Sequence, residues 1–233
     1  MQIVLVAGLW LDGTAWDEVV PALTARGHVP HPVTLPGQGD GTVGATLADQ
    51  VAAVVAAVDN ANEASGEKVL VVGHSAASTL AWLAADARAA RVAGAALVGG
   101  FPTSAGEPYA DFFPVVDGVV PFPGWEPFEG PDTDDLDQET RARVAARTHP
   151  VPGGVTQGVV SYASEARRDV PLVMVCPEYT PAACQEWIDA GDLPEVSAAH
   201  DVRLVDIDSG HWPMFSKPDE LAALLAELAE DLA

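Results

Sequence analysis

Apolar residues fall along this chain in two recurring patterns. The first is a short continuous run, seen at Ile3–Val6, Val69–Val72, Val92–Val98, Leu172–Cys176 and Val202–Ile207 and built mostly from Val, Leu, Ile and Ala. Continuous rather than alternating runs suit strands covered on both faces, as in a parallel sheet. A sixth strand, roughly His28–Leu35, contains prolines that remove ladder donors, which puts it near an edge. The second pattern is the helical i, i+3, i+4 spacing. In "LADQVAAVVAAVDNA", Leu47, Val51, Val54, Val55 and Val58 share a face, and Thr46 with Asp49 forms a capping box ahead of them. Thr14 and Asp17 repeat the device before "AWDEVVPALTAR", which Gly27 ends. A last helix after Ser216 and Pro218 carries the stripe Leu221, Leu224, Leu225, Leu228 and Leu232. Strand–helix alternation of this kind predicts an open parallel α/β sheet of about six strands with right-handed crossovers.

One stretch breaks the rhythm. From about Pro102 to Ser164 there is no strong strand, and the sequence is rich in Pro, Gly, acids and aromatics. A structureless loop of that length is foreign to a compact domain. The expectation is a core formed by residues 1–101 and 166–233 and an inserted cap formed by residues 102–165. Helix is expected near "QETRARVAARTH" and "GGVTQGVVSYASEARR". The cap aromatics Tyr109, Phe112, Phe113, Phe122, Trp125 and Phe128 are candidates to roof an apolar pocket.

Charge narrows the function. The chain has 34 acidic and 11 basic residues, a formal net charge of −23, on an ordinary 48 % hydrophobic fraction. Such a surface repels phosphate backbones and anionic lipid, so neither nucleic acid nor membrane is an expected partner; a small-molecule substrate is. "MQIVLVAG" has no basic n-region or cleavage site, and no apolar stretch has membrane-spanning length, so a cytoplasmic location is expected. Cys176 and Cys184 are read as reduced thiols with no His at zinc-ligand spacing.

The chemistry centres on "VLVVGHSAAS". A strand ends in Gly-His-Ser-Ala-Ala and runs at once into helix, the setting of a nucleophile elbow. Ser75 stands at the apex, between Gly73 and Ala77. A bare hydroxyl needs a base, and His211 lies in the loop between the last strand and last helix, at the carboxyl edge of the sheet where α/β sites form. An orienting carboxylate is sought after the fifth strand, where Glu178 stands two residues beyond its end. Asp206 and Asp208 belong to the strand of His211 itself, and Glu107 and Asp111 are the reserve. The oxyanion donors are expected at the backbone of Ala76 and of Leu9, in "AGLWLDGTAW", with Trp10 as the alternative to Leu9. Trp10, Phe101, Phe112, Trp125 and Trp212 are the candidate substrate contacts. His74 reads as structural, and His28, His31, His149 and His200 as surface or packing residues. Gly37, Gly39 and Gly41 in "LPGQGDG" lack the Lys-Ser/Thr of a phosphate loop and read as a plain surface turn.

Taken together, "VLVAGLWLDGTAW", "TLPGQGDG", "VVGHSAAS", "LVMVCPEYTPAACQEWI" and "DSGHWPMFSKPDEL" resemble the α/β-hydrolase fold of the short esterase type found in plant methyl esterases, hydroxynitrile lyases and their bacterial relatives. The resemblance spans nearly the whole chain except the cap. It implies a mainly parallel sheet with a cap after the fourth strand, no metal and no organic cofactor, and acyl transfer to water with Ser75 as nucleophile and His211 as base. The family's acid is often the Asp of a Cys-Thr-Glu-Asp segment; here Tyr179 falls on that Asp and Glu178 on the Glu beside it. Either Glu178 takes over, or the third member is weakened or absent. Ala7 likewise stands where the family usually has His. A lyase or a small-ligand-binding protein on the same fold are the alternatives; the family's lyases depend on lysine, and Lys68 and Lys217 both lie away from the expected pocket.

Overall fold

The computed structural model describes all 233 residues. Eight strands form: β1 (Gln2–Val6), β2 (Val29–Val33), β3 (Val69–His74), β4 (Val92–Val98), β5 (Val119–Val120), β6 (Val151–Pro152), β7 (Leu172–Cys176) and β8 (Val202–Asp206). Six of them build one sheet in the order β2-β1-β3-β4-β7-β8, every pair parallel. The continuous apolar runs are explained by burial on both sides. Val4, Val69, Val71, Ala95, Leu97, Leu172 and Met174 face one core, and Ile3, Leu5, Leu70, Val72, Ala96, Val173 and Val175 face the other. β2 is an edge strand. Pro30 and Pro32 lie two residues apart, so their missing N–H groups fall on one side, away from β1.

The helices are α1 (Val20–Ala25), α2 (Leu47–Ser65), α3 (Ala77–Arg88), α4 (Gln138–Ala145), α5 (Gly153–Thr156), α6 (Pro181–Ala190), α7 (Pro194–Ser197), α8 (Pro213–Ser216) and α9 (Pro218–Asp231). α2 starts with the Thr46–Asp49 capping box and ends at left-handed Gly66. α9 buries Leu221, Leu225 and Leu228 as the stripe requires, whereas Leu224 is half-buried and Leu232 lies past its end. The first helix differs from expectation. Asp12, not Thr14, caps a 3-10 turn at Gly13–Trp16, and α1 begins only at Val20. Pro21 is the reason: it has no N–H for a continuous helix and is tolerated only in a first turn.

The connection between β4 and β7 holds the antiparallel pair β5–β6, α4 and the single turn α5. The longer helix expected in "GGVTQGVVSYASEARR" does not form. Gly158 packs with its Cα against Leu47, Val159 bridges Pro108 in antiparallel fashion, and a 3-10 turn covers Glu165–Asp169. Cys176 and Cys184 are buried free thiols, and no helix is long and apolar enough to cross a membrane.

Candidate active site

The chain leaves β1 for β2 on one side and returns to β3 on the other, so a crevice opens at the carboxyl ends of β1 and β3. Ser75 sits at this switch point with φ +54°, a left-handed conformation that a non-glycine residue holds only when its surroundings enforce it. The enforcement is steric and polar. Ser75 N–H donates to the Val98 carbonyl at 2.8 Å. A methyl group at Gly73 would meet the Ala77 carbonyl oxygen at 2.4 Å, and one at Gly100 would meet the Ser75 carbonyl oxygen at 2.2 Å. Glycine at both places lets α3 start directly over the strand ends.

His211 Nε2 lies 2.9 Å from Ser75 Oγ, and its Nδ1 lies 2.8 Å from Glu178 Oε1. A carboxylate only accepts, so Nδ1–H donates to Glu178 and Nε2 is left to accept the serine proton. Both side chains of this pair are largely buried, at 14 % and 16 % exposed. Glu178 Oε2 is buried and faces no protein donor. Tyr179 turns instead into an aromatic group with Phe101 and Trp187, where burial pushes its phenol pKa upward. Asp206 ends β8 and Asp208 is exposed; neither hydrogen-bonds His211.

The loop after β1 is held in place by groups the sequence reading missed. Gln38, fully buried, donates to the carbonyls of Gly8 at 3.0 Å and Leu11 at 2.9 Å. Gln50, also fully buried, donates to Gln38 Oε1 and to the Pro36 carbonyl, both at 3.0 Å. "LPGQGDG" is therefore not a plain surface turn: it carries Gln38 inward. The result leaves the amides of Leu9 and Ala76 without an acceptor inside the protein, beside Ser75. Trp10 has φ +66°; its indole donates to the Val120 carbonyl at 3.1 Å and its own carbonyl accepts from His149 N–H at 2.8 Å.

His74 ties the two halves of the site together. Its Nε2–H donates to the His211 carbonyl at 2.8 Å, and its Nδ1 accepts a long 3.4 Å bond from Gly8 N–H. Complete burial, with His211 nearby, pushes its pKa down to about 3, so the ring is neutral as that pattern requires. From the connection after β4, the Asp132 carbonyl accepts from His211 N–H at 2.8 Å and the Asp135 carboxylate from Gly210 N–H at 2.7 Å. Burial raises the Asp132 side-chain pKa; the charge of Glu178 adds to this and that of His211 opposes it. His149 is more than a surface residue, since it pairs with Asp12 at 2.9 Å across the same connection. Burial draws Asp12 upward, but its hydrogen bonds from Thr14 and His149 prevail and keep its pKa low.

Of the candidate substrate contacts, Trp10, Phe112 and Trp212 line a cavity at Ser75, together with Phe113 and Phe128, and Phe101 and Phe112 line a second one with Tyr109. Trp125 lines neither. Its indole donates to the Arg141 carbonyl at 3.1 Å and its ring packs edge-on against Trp212 and Phe122, so it supports the wall from behind. Lys68 is exposed and Lys217 faces Glu220; neither reaches a cavity at Ser75.

Sheet order and an elbow serine put the molecule in a broad class, the α/β proteins that do chemistry at a strand-to-helix corner. Within that class the chain belongs to the alpha/beta hydrolase family, which residues 3–224 match. It is similar to Methylesterase 7 of Arabidopsis thaliana, 26 % identical over 258 residues that take in 100 % of this chain and 97 % of that protein. Its fold is that of the methylesterase MES16 from Arabidopsis, with TM-score 0.77, 17 % identity and 99 % of each chain covered. A pyrethroid hydrolase from Sphingobium faniae JZ-2 matches with TM-score 0.72 and 20 % identity over 99 % of this chain and 97 % of that one.

Proposed function

We propose that this α/β hydrolase cleaves small to medium apolar carboxylic esters, with lactones and thioesters in the same class, through an acyl-enzyme on Ser75. The observation that carries the reading is the unbroken series Ser75 Oγ, His211, Glu178, with contacts of 2.9 and 2.8 Å. The likeness to a methylesterase and to a pyrethroid hydrolase supports it. Ser75 Oγ bonds to the ester carbon as its proton passes to His211 Nε2. Glu178 stabilises the imidazolium. The amides of Leu9 and Ala76 receive the oxyanion, each such donor contributing about 3 kcal/mol to the barrier reduction. The Nε2 proton then goes to the alkoxy oxygen as the carbon–oxygen bond breaks and the alcohol departs. Water adds to the acyl carbon and gives a proton to Nε2. That proton returns to Oγ as the Ser75 ester bond breaks and the acid leaves. These steps call on no metal and no organic cofactor.

The test pairs two readouts. Turnover of ethyl hexanoate is followed by pH-stat, and a fluorophosphonate probe is titrated against the protein. The expected result is turnover and one label per chain, both lost in Ser75→Ala. A protein that binds short esters but neither turns them over nor takes the label is a binding module, and the proposal falls.

A further inference from the structure

Two cavities meet at Ser75. One, of about 70 Å³, is walled by Trp10, Phe113, Phe128 and Trp212 and contains the His211 ring. The other, of about 380 Å³, opens to solvent and runs from Phe101 past Thr103 to Asp192. A tetrahedral carbon on Ser75 Oγ has three further substituents to house. Its oxyanion belongs at the Leu9 and Ala76 amides. Its leaving oxygen must face His211 Nε2, which delivers the proton. The acyl chain takes the direction that remains. His211 and Leu9 border the small chamber and not the large trough.

We propose that the small chamber is the alcohol subsite, admitting only short unbranched alcohols, and that the open trough is the acyl subsite, selecting neutral acyl groups of varied length. This deepens the ester-cleaving reading above and rests on it. The chamber cannot swell easily. Its rings meet edge to face, Trp10 with Phe113 at 5.3 Å and Phe128 with Trp212 at 5.3 Å, and the Trp10 indole is tied to Val120. Against an apolar cavity of about 150 Å³ that takes six-carbon benzene, the chamber matches two or three heavy atoms of alcohol, and later the hydrolytic water. The trough has no such wall. Asp192 stands exposed at its rim, and with a net charge of −23 the chain repels a carboxylate at the far end of an acyl group.

A crossed ester panel tests this. Hexanoates of methanol, ethanol, butanol and 2-methylpropanol vary the alcohol; methyl esters from butanoate to decanoate vary the acid. The expected kcat/KM drops by about tenfold or more from ethyl to butyl, as a pocket that excludes extra methylenes dictates. It changes by less than about threefold along the neutral acids, whose chain lies in an open groove. Phe113→Ala, or Phe128→Leu if that variant does not fold, restores the butyl ester about tenfold and leaves the acyl profile as it was. Asp192→Asn raises turnover of monomethyl adipate relative to methyl hexanoate at low ionic strength, and the gain shrinks in high salt. Steep dependence on acid length with a flat response to the alcohol, or an aromatic variant that reshapes only the acyl profile, overturns the subsite assignment while leaving the esterase reading intact. Absence of any Ser75-dependent turnover across the panel overturns the esterase reading itself, and this one with it.

Discussion

Replacing Glu178 with Gln keeps the shape of the site and removes one charge. In the native arrangement a carboxylate oxygen sits 2.8 Å from Nδ1 of the imidazole that the proposed mechanism makes positive. Both partners are largely buried, and an ion pair at about 4 Å between charge centres contributes about 4 kcal/mol at an effective dielectric of 20. Loss of that term alone slows the chemical step about a thousandfold. The amide adds a second penalty. Glu178 Oε2 is buried with no hydrogen-bond partner. With the amide oxygen kept on Nδ1–H, the new NH2 group takes a buried place where the carboxylate oxygen had no partner, and a donor left unpaired there costs about 1–3 kcal/mol. Rotating the amide avoids that cost by donating to Nδ1, which moves the ring proton to Nε2 and removes the base that Ser75 needs. The expected outcome is a fall in kcat of about 10³- to 10⁴-fold, in line with acid-to-amide changes in serine triads, with KM little altered. Asp208→Asn, at an exposed residue that does not touch the ring, is expected to stay within about twofold because surface substitutions of this kind are nearly neutral. The measurement is steady-state hydrolysis of ethyl hexanoate, normalised to correctly folded protein by thermal melting. A Glu178→Gln variant that keeps more than about a tenth of wild-type kcat has lost less than about 1.4 kcal/mol, and that refutes the electrostatic role given to this carboxylate.

Two more substitutions probe the scaffold behind the site. Gln38→Met removes the donors that hold the Gly8 and Leu11 carbonyls; kcat is expected to fall about 10- to 100-fold through a displaced oxyanion donor, with KM nearly constant and the Ki of a boronic acid rising in parallel, whereas unchanged kcat in a merely less stable protein removes the positioning role. The pH dependence of stability reports on His74, whose pKa drops from 6.5 unfolded to about 3 folded because of burial. The unfolded chain therefore takes up a proton below pH 6.5 that the folded chain refuses, and stability falls by up to about 1.4 kcal/mol per pH unit from there toward pH 3. His74→Gln, which can still donate to His211 and accept from Gly8, is expected to lose that part of the slope in urea melts at pH 6.5 and pH 4; coincident slopes argue that the ring is protonated in the native protein.

How far the sequence speaks depends on the distance over which each feature is determined. The strands were legible because two-sided burial leaves a continuous apolar run, and the elbow because Gly73 and Ala77 flank Ser75 in a local pattern. The two halves of "AWDEVVPALTAR" were not separated, although Pro21 carried the signal. Gln38 was concealed among glycines that suggested a surface turn. Its partner offered a clue, since Gln50 interrupts the buried face of α2 between Leu47 and Val54. Which aromatics of the connection between β4 and β7 face Ser75 is a non-local matter: Phe113 and Phe128 do and Trp125 does not, because its indole is satisfied by Arg141. The grip of Asp132 and Asp135 on the His211 loop leaves no periodic trace, since it joins groups more than seventy residues apart.

The connection between β4 and β7 is bonded to the Trp10 carbonyl through His149 and to the His211 and Gly210 amides through Asp132 and Asp135. A segment fastened at both ends of the reaction centre cannot swing aside as a free flap without loosening the groups it covers. Ester is then expected to enter by the open side, and local melting of this stretch to silence the molecule before the sheet comes apart. Heat-inactivated preparations would retain most of their far-ultraviolet circular dichroism, and cooling would return their activity.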